Sequence, residues 1–151
     1  MIEAGYMKEE NERNSTIKIV EYSAILVFFM IILIILVPSI SKIVYNMAKN
    51  SSETSTKGTI DTVKSFYVDM NLTNEVGLPF KVVFDKNGYT FYENGKKVNY
   101  KRQLNIKNQG KLPKAGSVTI NTDGTVTVKD LTFGNFKCNQ TNEQNLVCDN
   151  K

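Results

Sequence analysis

Three side chains in this sequence have a chemistry to perform: Glu21, Cys138 and Cys148. Glu21 precedes an unbroken apolar run, Ala24 to Val37, reading AILVFFMIILIILV. A carboxylate at the edge of so apolar a segment is costly to bury unless it is paired. The groups that can pair with it are Lys18, one helical turn earlier, and any cation on a neighbouring chain. An acid at the start of a helix is also favourable in its own right. Cys138 and Cys148 enclose nine residues. A disulfide across that loop would lower the entropy of the unfolded chain, a gain of roughly 3 kcal/mol at 25 °C. The pair is expected to be bonded in an oxidising compartment; in a reducing one it is two free thiols. Without a C-x-x-C spacing, a redox role is not expected.

The remaining inventory closes most routes to catalysis. His is absent, which removes His-based triads, His general acid–base steps and His-ligated zinc. Two cysteines cannot build a four-cysteine metal site. Asp85, Glu93, Asp123 and Asp130 lie at or beside turn sequences, where turn chemistry accounts for them. With no nucleophile–base pair and no cluster of metal ligands in view, no enzyme activity, cofactor or metal is expected.

The elements that position these residues begin with Tyr22 to Ser41, twenty residues without a charge. At 1.5 Å per residue this length matches the ~30 Å hydrocarbon core of a bilayer. The run has no polar face, so it reads as a membrane-spanning helix and not as a helix lying on the surface. It is longer than the apolar core of a secretory signal and no A-x-A site follows, so it reads as a permanent anchor. Pro38 lies inside the helical pattern, where it removes a hydrogen bond and bends the axis. Ile40, Ile43, Val44 and Met47 then recur at helical spacing. Residues 50–58, NSSETSTKG, are polar and locally weak. Ile60, Val63, Phe66, Tyr67 and Met70 resume an apolar stripe. The expectation is one long helix from about Thr16 to Asp69, bent at Pro38 and loosened near Gly58, its first half in lipid and its second against a globular domain.

From Phe80 the period becomes two. FKVVF, YTFY and KKV are separated by Asp85-Lys86-Asn87-Gly88 and Asn94-Gly95, so Phe80 to Val98 reads as a three-stranded meander. Lys101 to Lys114 has no period and reads as loop. SVTIN and TVTVKD flank Thr122-Asp123-Gly124 as a second hairpin. A last strand, Thr132 to Lys137, is expected to run into the cysteine loop. The fold class is α+β: a long N-terminal transmembrane helix, extended out of the membrane and packed on a small antiparallel sheet of five or six strands. The segments are 1–16, a polar cytoplasmic leader; 17–49, the transmembrane and juxtamembrane helix; and 50–151, the extracytoplasmic domain. That last segment is about a hundred residues, a core small enough to benefit from a covalent staple.

The 151-residue chain carries a net charge of +4. Residues 42–151 hold sixteen Lys/Arg against ten Asp/Glu, and residues 1–41 hold three against five. The lysines are scattered, and the chain has neither an Arg-rich stripe nor a nucleic-acid motif, so direct nucleic-acid binding is not expected. Orientation stays open on charge: Lys42, Lys49, Lys57 and Lys64 mildly favour the C-terminal side inside, whereas a bonded cysteine pair favours it outside.

The order of parts, together with Glu21 and Pro38, resembles the type IV pilins and the pseudopilins of type II secretion. In that family a Glu occupies the fifth mature position and a helix-bending Pro follows seventeen residues later, the separation of Glu21 and Pro38 here. This alignment puts leader cleavage between Thr16 and Ile17. The segment GKLPKAGSVTINTDGTVTVKDLTFGNFKCN is similar to the sheet end of pilin-like proteins from low-GC Gram-positive bacteria. The resemblance implies a subunit of a membrane-anchored fibre for secretion, adhesion or DNA uptake. Glu21 and Pro38 would serve assembly. Other pilin-like subunits, assembly-platform proteins and a prepilin peptidase would be partners. The sheet domain would be extracytoplasmic, at the cell surface within the fibre. Two positions depart from the pattern: Thr16 stands where the family has a small residue, usually Gly, and Lys18 where it has an uncharged one. A monomeric single-pass protein with an extracytoplasmic binding module is the alternative.

Overall fold

The computed structural model describes residues 2–73, 76–106, 111–142 and 144–151, with side chains described from Ser15 onward. The chain divides into two compact units, Met1–Tyr45 and Asn46–Lys151. Of the leader 1–16, therefore, side chains are described only at Ser15 and Thr16, and part of the loop expected over 101–114 lies outside the described residues.

Helix α1 runs Ile2–Asn71. It starts well before Thr16, where the apolar pattern placed its beginning. The leader, with four Glu, two Met, Ala4, Lys8 and Arg13, has intrinsic helix preference enough to extend it. In the first unit, every side chain from Ser15 to Tyr45 is exposed except the half-buried Ile32. The helix continues through Pro38. Proline has no N–H to give the Ile34 carbonyl. Beside it, Ser39 Oγ donates to the Ile35 carbonyl at 3.2 Å and Ser41 Oγ to the Val37 carbonyl at 3.0 Å.

In the second unit the helix does not loosen at Gly58; that residue is helical and buried. The polar stretch is in fact part of the packed face. Ser52, Ser55, Thr56, Thr59 and Thr62 are buried together with Ile60, Val63, Phe66 and Met70. Four of these hydroxyls are satisfied inside the helix: Ser52 Oγ donates to Ala48 O, Thr56 Oγ1 to Ser52 O, Thr59 Oγ1 to Ser55 O and Thr62 Oγ1 to Gly58 O, at 2.8–2.9 Å. With their polar atoms turned onto the helix's own carbonyls, these four side chains are buried without an orphaned hydroxyl.

Seven antiparallel strands form one sheet in the order β3-β2-β1-β4-β5-β6-β7. They are β1 (Phe80–Asp85), β2 (Gly88–Glu93), β3 (Lys96–Val98), β4 (Gly116–Ile120), β5 (Val126–Phe133), β6 (Phe136–Gln140) and β7 (Val147–Asn150). The expected meander over Phe80 to Val98 and the hairpin around Thr122-Asp123-Gly124 are both present. The expected strand Thr132 to Lys137 is not. Gly134 and Asn135 turn the chain there, so Phe133 ends β5 and Phe136 opens β6. This turn and β7 bring the count to seven strands where five or six were expected. Phe80, Val82, Phe84, Val118, Val126, Val128 and Leu131 supply the inward face and are almost fully buried.

The two halves of the sheet meet where β1 pairs with β4, and there a glycine is required. Gly116 has φ +104°, and a Cβ on it would fall on the backbone of Asp130 and Leu131. Those residues form a β-bulge. Val128 pairs with Gln140 and Leu131 with Cys138, so three steps on β5 face two on β6. Asp130 takes φ 53°, and its N–H donates to Asn139 Oδ1 at 2.7 Å. Gly116→Ala is therefore expected to lower stability by about 1–3 kcal/mol from backbone strain alone, with the steric clash added. Urea unfolding followed by circular dichroism measures it, and a midpoint equal to wild type would contradict this account of the bulge. In the β4–β5 turn, Asp123 accepts from Thr125 Oγ1 at 2.7 Å and from the Thr125 N–H at 2.9 Å. These bonds hold its carboxyl below the usual range. Their contribution is present above the ordinary carboxylate pKa and is lost as pH falls through the lowered one.

Candidate assembly site

The first site residue sits on a helix with nothing around it. Glu21 is exposed, and among the described residues none pairs with its carboxylate. Lys18 is three residues earlier, close enough along the helix face to meet it. Thr16 and Ile17, where the resemblance places a cut, lie within α1 and not at its start, and both are exposed. Pro38 is seventeen residues beyond Glu21 on the same helix, about 25 Å along its axis.

Between these two, α1 presents apolar surface on every side. Ile25, Leu26, Phe28, Phe29, Leu33 and Ile34 each expose about half or more of their surface. One described helix is long and apolar enough to cross a membrane, and none of its apolar window is buried within the chain. So much apolar surface on one helix is incompatible with water and needs lipid or other helices around it. Full-length protein is expected to sediment with membranes and to resist carbonate extraction. Release into the soluble fraction without detergent would contradict a spanning role.

The second pair of site residues is brought together by β6 and β7. Cys138 and Cys148 are directly opposite in the register and are joined by a disulfide with their Cα atoms 4.1 Å apart. Both are fully buried. The sequence identified the pair; the two strands that bring it into register appear only in the fold.

The sequence did not identify the Ser/Thr face of α1 as packed surface. Its signal was the spacing of Ser52, Ser55, Thr56, Thr59, Val63, Phe66 and Met70, which keeps helical period although the first four are polar. Among the described residues, no group of three or more His, Cys, Asp or Glu could hold a metal ion. A groove of about 460 Å3 lies in the second unit, lined by Glu53, Lys57 and Asp61 of α1 and by Gln140, Gln144 and Asn145 of the cysteine loop. Comparison with protein-family models, with characterised proteins and with solved structures gives no match to this chain.

Proposed function

We propose that this protein is a structural, pilin-like subunit. It is held in the membrane by α1 and assembles through that helix with other such subunits into a fibre for secretion, adhesion or DNA uptake. The observation that carries this reading is a single helix that is apolar on all sides from Ala24 to Val37, has an acid at Glu21, and continues unbroken into a face packed on an antiparallel sheet. An apolar helix has little reason to leave lipid, because lipid tails are as apolar as leucine. Leaving becomes favourable only when neighbouring helices bury the same surface. Glu21 would then be buried as well and would need a cation. In a processed subunit that cation is a neighbour's new N-terminal amine at Ile17; in an unprocessed one it is Lys18 of the same or a neighbouring chain. Assembly-platform proteins and a prepilin peptidase are the partners this reading requires, and the sheet domain is extracytoplasmic.

The test combines mass spectrometry of the mature N-terminus with cross-linking of wild type and Glu21→Ala. A terminus at Ile17 is expected, as is cross-linking between wild-type neighbours that the variant loses, while membrane insertion and sheet content stay unchanged. An intact Met1 with no cross-linked neighbours in wild type would sink the proposal. Thr16 and Lys18 favour a second reading, a monomeric single-pass protein with an extracytoplasmic binding module. The groove at Glu53, Asp61 and Gln144 is where a ligand would then sit.

A further inference from the structure

Two asparagines of this chain are followed by glycine: Asn87-Gly88 after β1 and Asn94-Gly95 after β2. Both asparagines are exposed, and both pairs serve as turn formers. Their chemistry is not equal. Asparagine is a thermolabile residue, because the main-chain nitrogen of the next residue can attack its side-chain amide carbon. A glycine in that next position has no Cβ to stand in the way. What separates the two pairs is how the fold holds the glycine.

Gly88 is the first residue of β2 and faces Asp85 in register. Across a two-residue turn such a closing pair exchanges both main-chain hydrogen bonds, so the Gly88 N–H is committed to the ladder. The Asn87 N–H also ties that turn, donating to Asp85 Oδ1 at 2.7 Å. In the second turn the closing pair is Glu93 and Lys96. Asn94 and Gly95 both lie between them, with φ 46° and 77°, the left-handed pair that a type I′ turn requires. The Asn94 N–H donates to the Pro79 carbonyl at 3.0 Å, but no bond among the described residues takes the Gly95 N–H. Attack also needs the turn to open for a moment. Strand β1 has six register pairs with β2 and is paired again with β4. Strand β3 has three residues and β2 as its one neighbour. The edge hairpin therefore opens more often.

We propose that Asn94 is a site of spontaneous deamidation, selected over Asn87 by the fold, and that its isoaspartate product uncaps the β3 edge of the sheet. The Gly95 nitrogen gives its proton to solvent and bonds to Asn94 Cγ. The Cγ–Nδ2 bond breaks, ammonia leaves, and a succinimide ring remains. Water then adds to one ring carbonyl and that carbonyl's bond to nitrogen opens. The net change is amide plus water to carboxylate plus ammonium. Opening at Cγ gives aspartate with an ordinary backbone, and Asp-Gly suits the same turn. Opening at the main-chain carbonyl gives isoaspartate, whose backbone runs through the side chain and gains a methylene. A two-residue turn cannot keep its register with that insertion. Strand β3, short and carrying Lys96 and Lys97, is the kind of strand that shields a sheet edge from another chain. Its release leaves main-chain groups of Phe91 and Glu93 unpaired. This inference needs neither the membrane helix nor the fibre reading.

The test holds full-length protein in detergent micelles in mildly alkaline buffer for days, beside the same protein unfolded in urea. Cleavage after lysine releases residues 87–96, NGYTFYENGK, which carry both asparagines. Fragmentation in the mass spectrometer then compares the two sites within one peptide and separates aspartate from isoaspartate. In the folded protein Asn94 is expected to convert about tenfold faster than Asn87. In urea the two should convert at similar rates, because only the fold separates them. The isoaspartate form, isolated by chromatography, should lose hydrogen-exchange protection at Phe91 and Val98, while Asn94→Asp keeps it. Equal rates at the two sites in the folded protein would overturn the selection of Asn94. So would an Asn94 that stays intact while the urea sample converts. Wild-type exchange at Val98 in the isoaspartate form would overturn the uncapping.

Discussion

Phe66→Ala is expected to destabilise the sheet-bearing unit by about 3–5 kcal/mol. Phe66 is only 5% exposed and is the side chain by which α1 grips the first half of the sheet. Its ring lies 4.7 Å from that of Phe91 with the planes 9° apart, 6.1 Å from Phe80, and 5.6 Å edge-on to Tyr100. Truncation removes the apolar burial and these ring contacts together, and leaves a cavity that neighbours on a hydrogen-bonded sheet cannot collapse to fill. Phe66→Leu should cost much less, because it keeps most of the volume. Val68, 55% exposed on the same turn of helix, supplies the control: Val68→Ala should fall within about 0.5 kcal/mol of wild type. Urea unfolding of all three variants, followed by tyrosine fluorescence, tests this. If Phe66→Ala unfolded with the wild-type midpoint, the packing of α1 on the sheet described above would be wrong.

How far the sequence discloses this arrangement depends on whether a feature is local. The turns at Lys86-Asn87, Asn94-Gly95 and Asp123-Gly124 were legible because residues that tolerate positive φ announce them, and Asn94, Gly95 and Gly124 do take positive φ. The apolar helix was legible because its twenty uncharged residues need no context. The turn at Gly134-Asn135 was hidden because Phe133 and Phe136 flank it closely, and both are buried, so the stretch reads as one continuous strand. The Ser/Thr face was hidden for a different reason. Hydropathy counts a hydroxyl as polar, but a hydroxyl bonded to the carbonyl four residues earlier is already satisfied and can be buried. Within the candidate site, Glu21, Pro38 and the cysteines could be named as residue types at a spacing. What Glu21 meets depends on a second molecule, and one chain's sequence holds no local sign of that.

The double variant Cys138→Ala/Cys148→Ala is expected to lose roughly 3 kcal/mol of stability, and to lose it unevenly. Strand β7 has four residues and a single neighbour, β6, and of those four only Cys148 is buried. The β6–β7 ladder, the Lys151 N–H bond to the Asn135 carbonyl at 2.9 Å and the packing of Leu146 and Cys148 on the core also hold it, but the disulfide is its one covalent tie among the described residues. A strand this short at a sheet edge buries too little to offset the entropy of ordering it. Without the bond, β7 should fray first and leave β6 as the edge, while β1 to β5 keep their pairing. Hydrogen exchange followed by mass spectrometry would then show the amides of Val147 to Asn150 exchanging far faster than wild type. The amides of Val82, Val118 and Val128 should change only by the global loss. Uniform acceleration across all seven strands would mean that the bond acts through the unfolded chain alone; unchanged exchange in β7 would mean that the ladder suffices without it. Peptide mapping without reductant, on protein recovered from its native compartment, connects the same bond to location. A linked Cys138–Cys148 peptide is the expected result for an extracytoplasmic sheet, and free thiols there would contradict the outward orientation on which the fibre proposal depends.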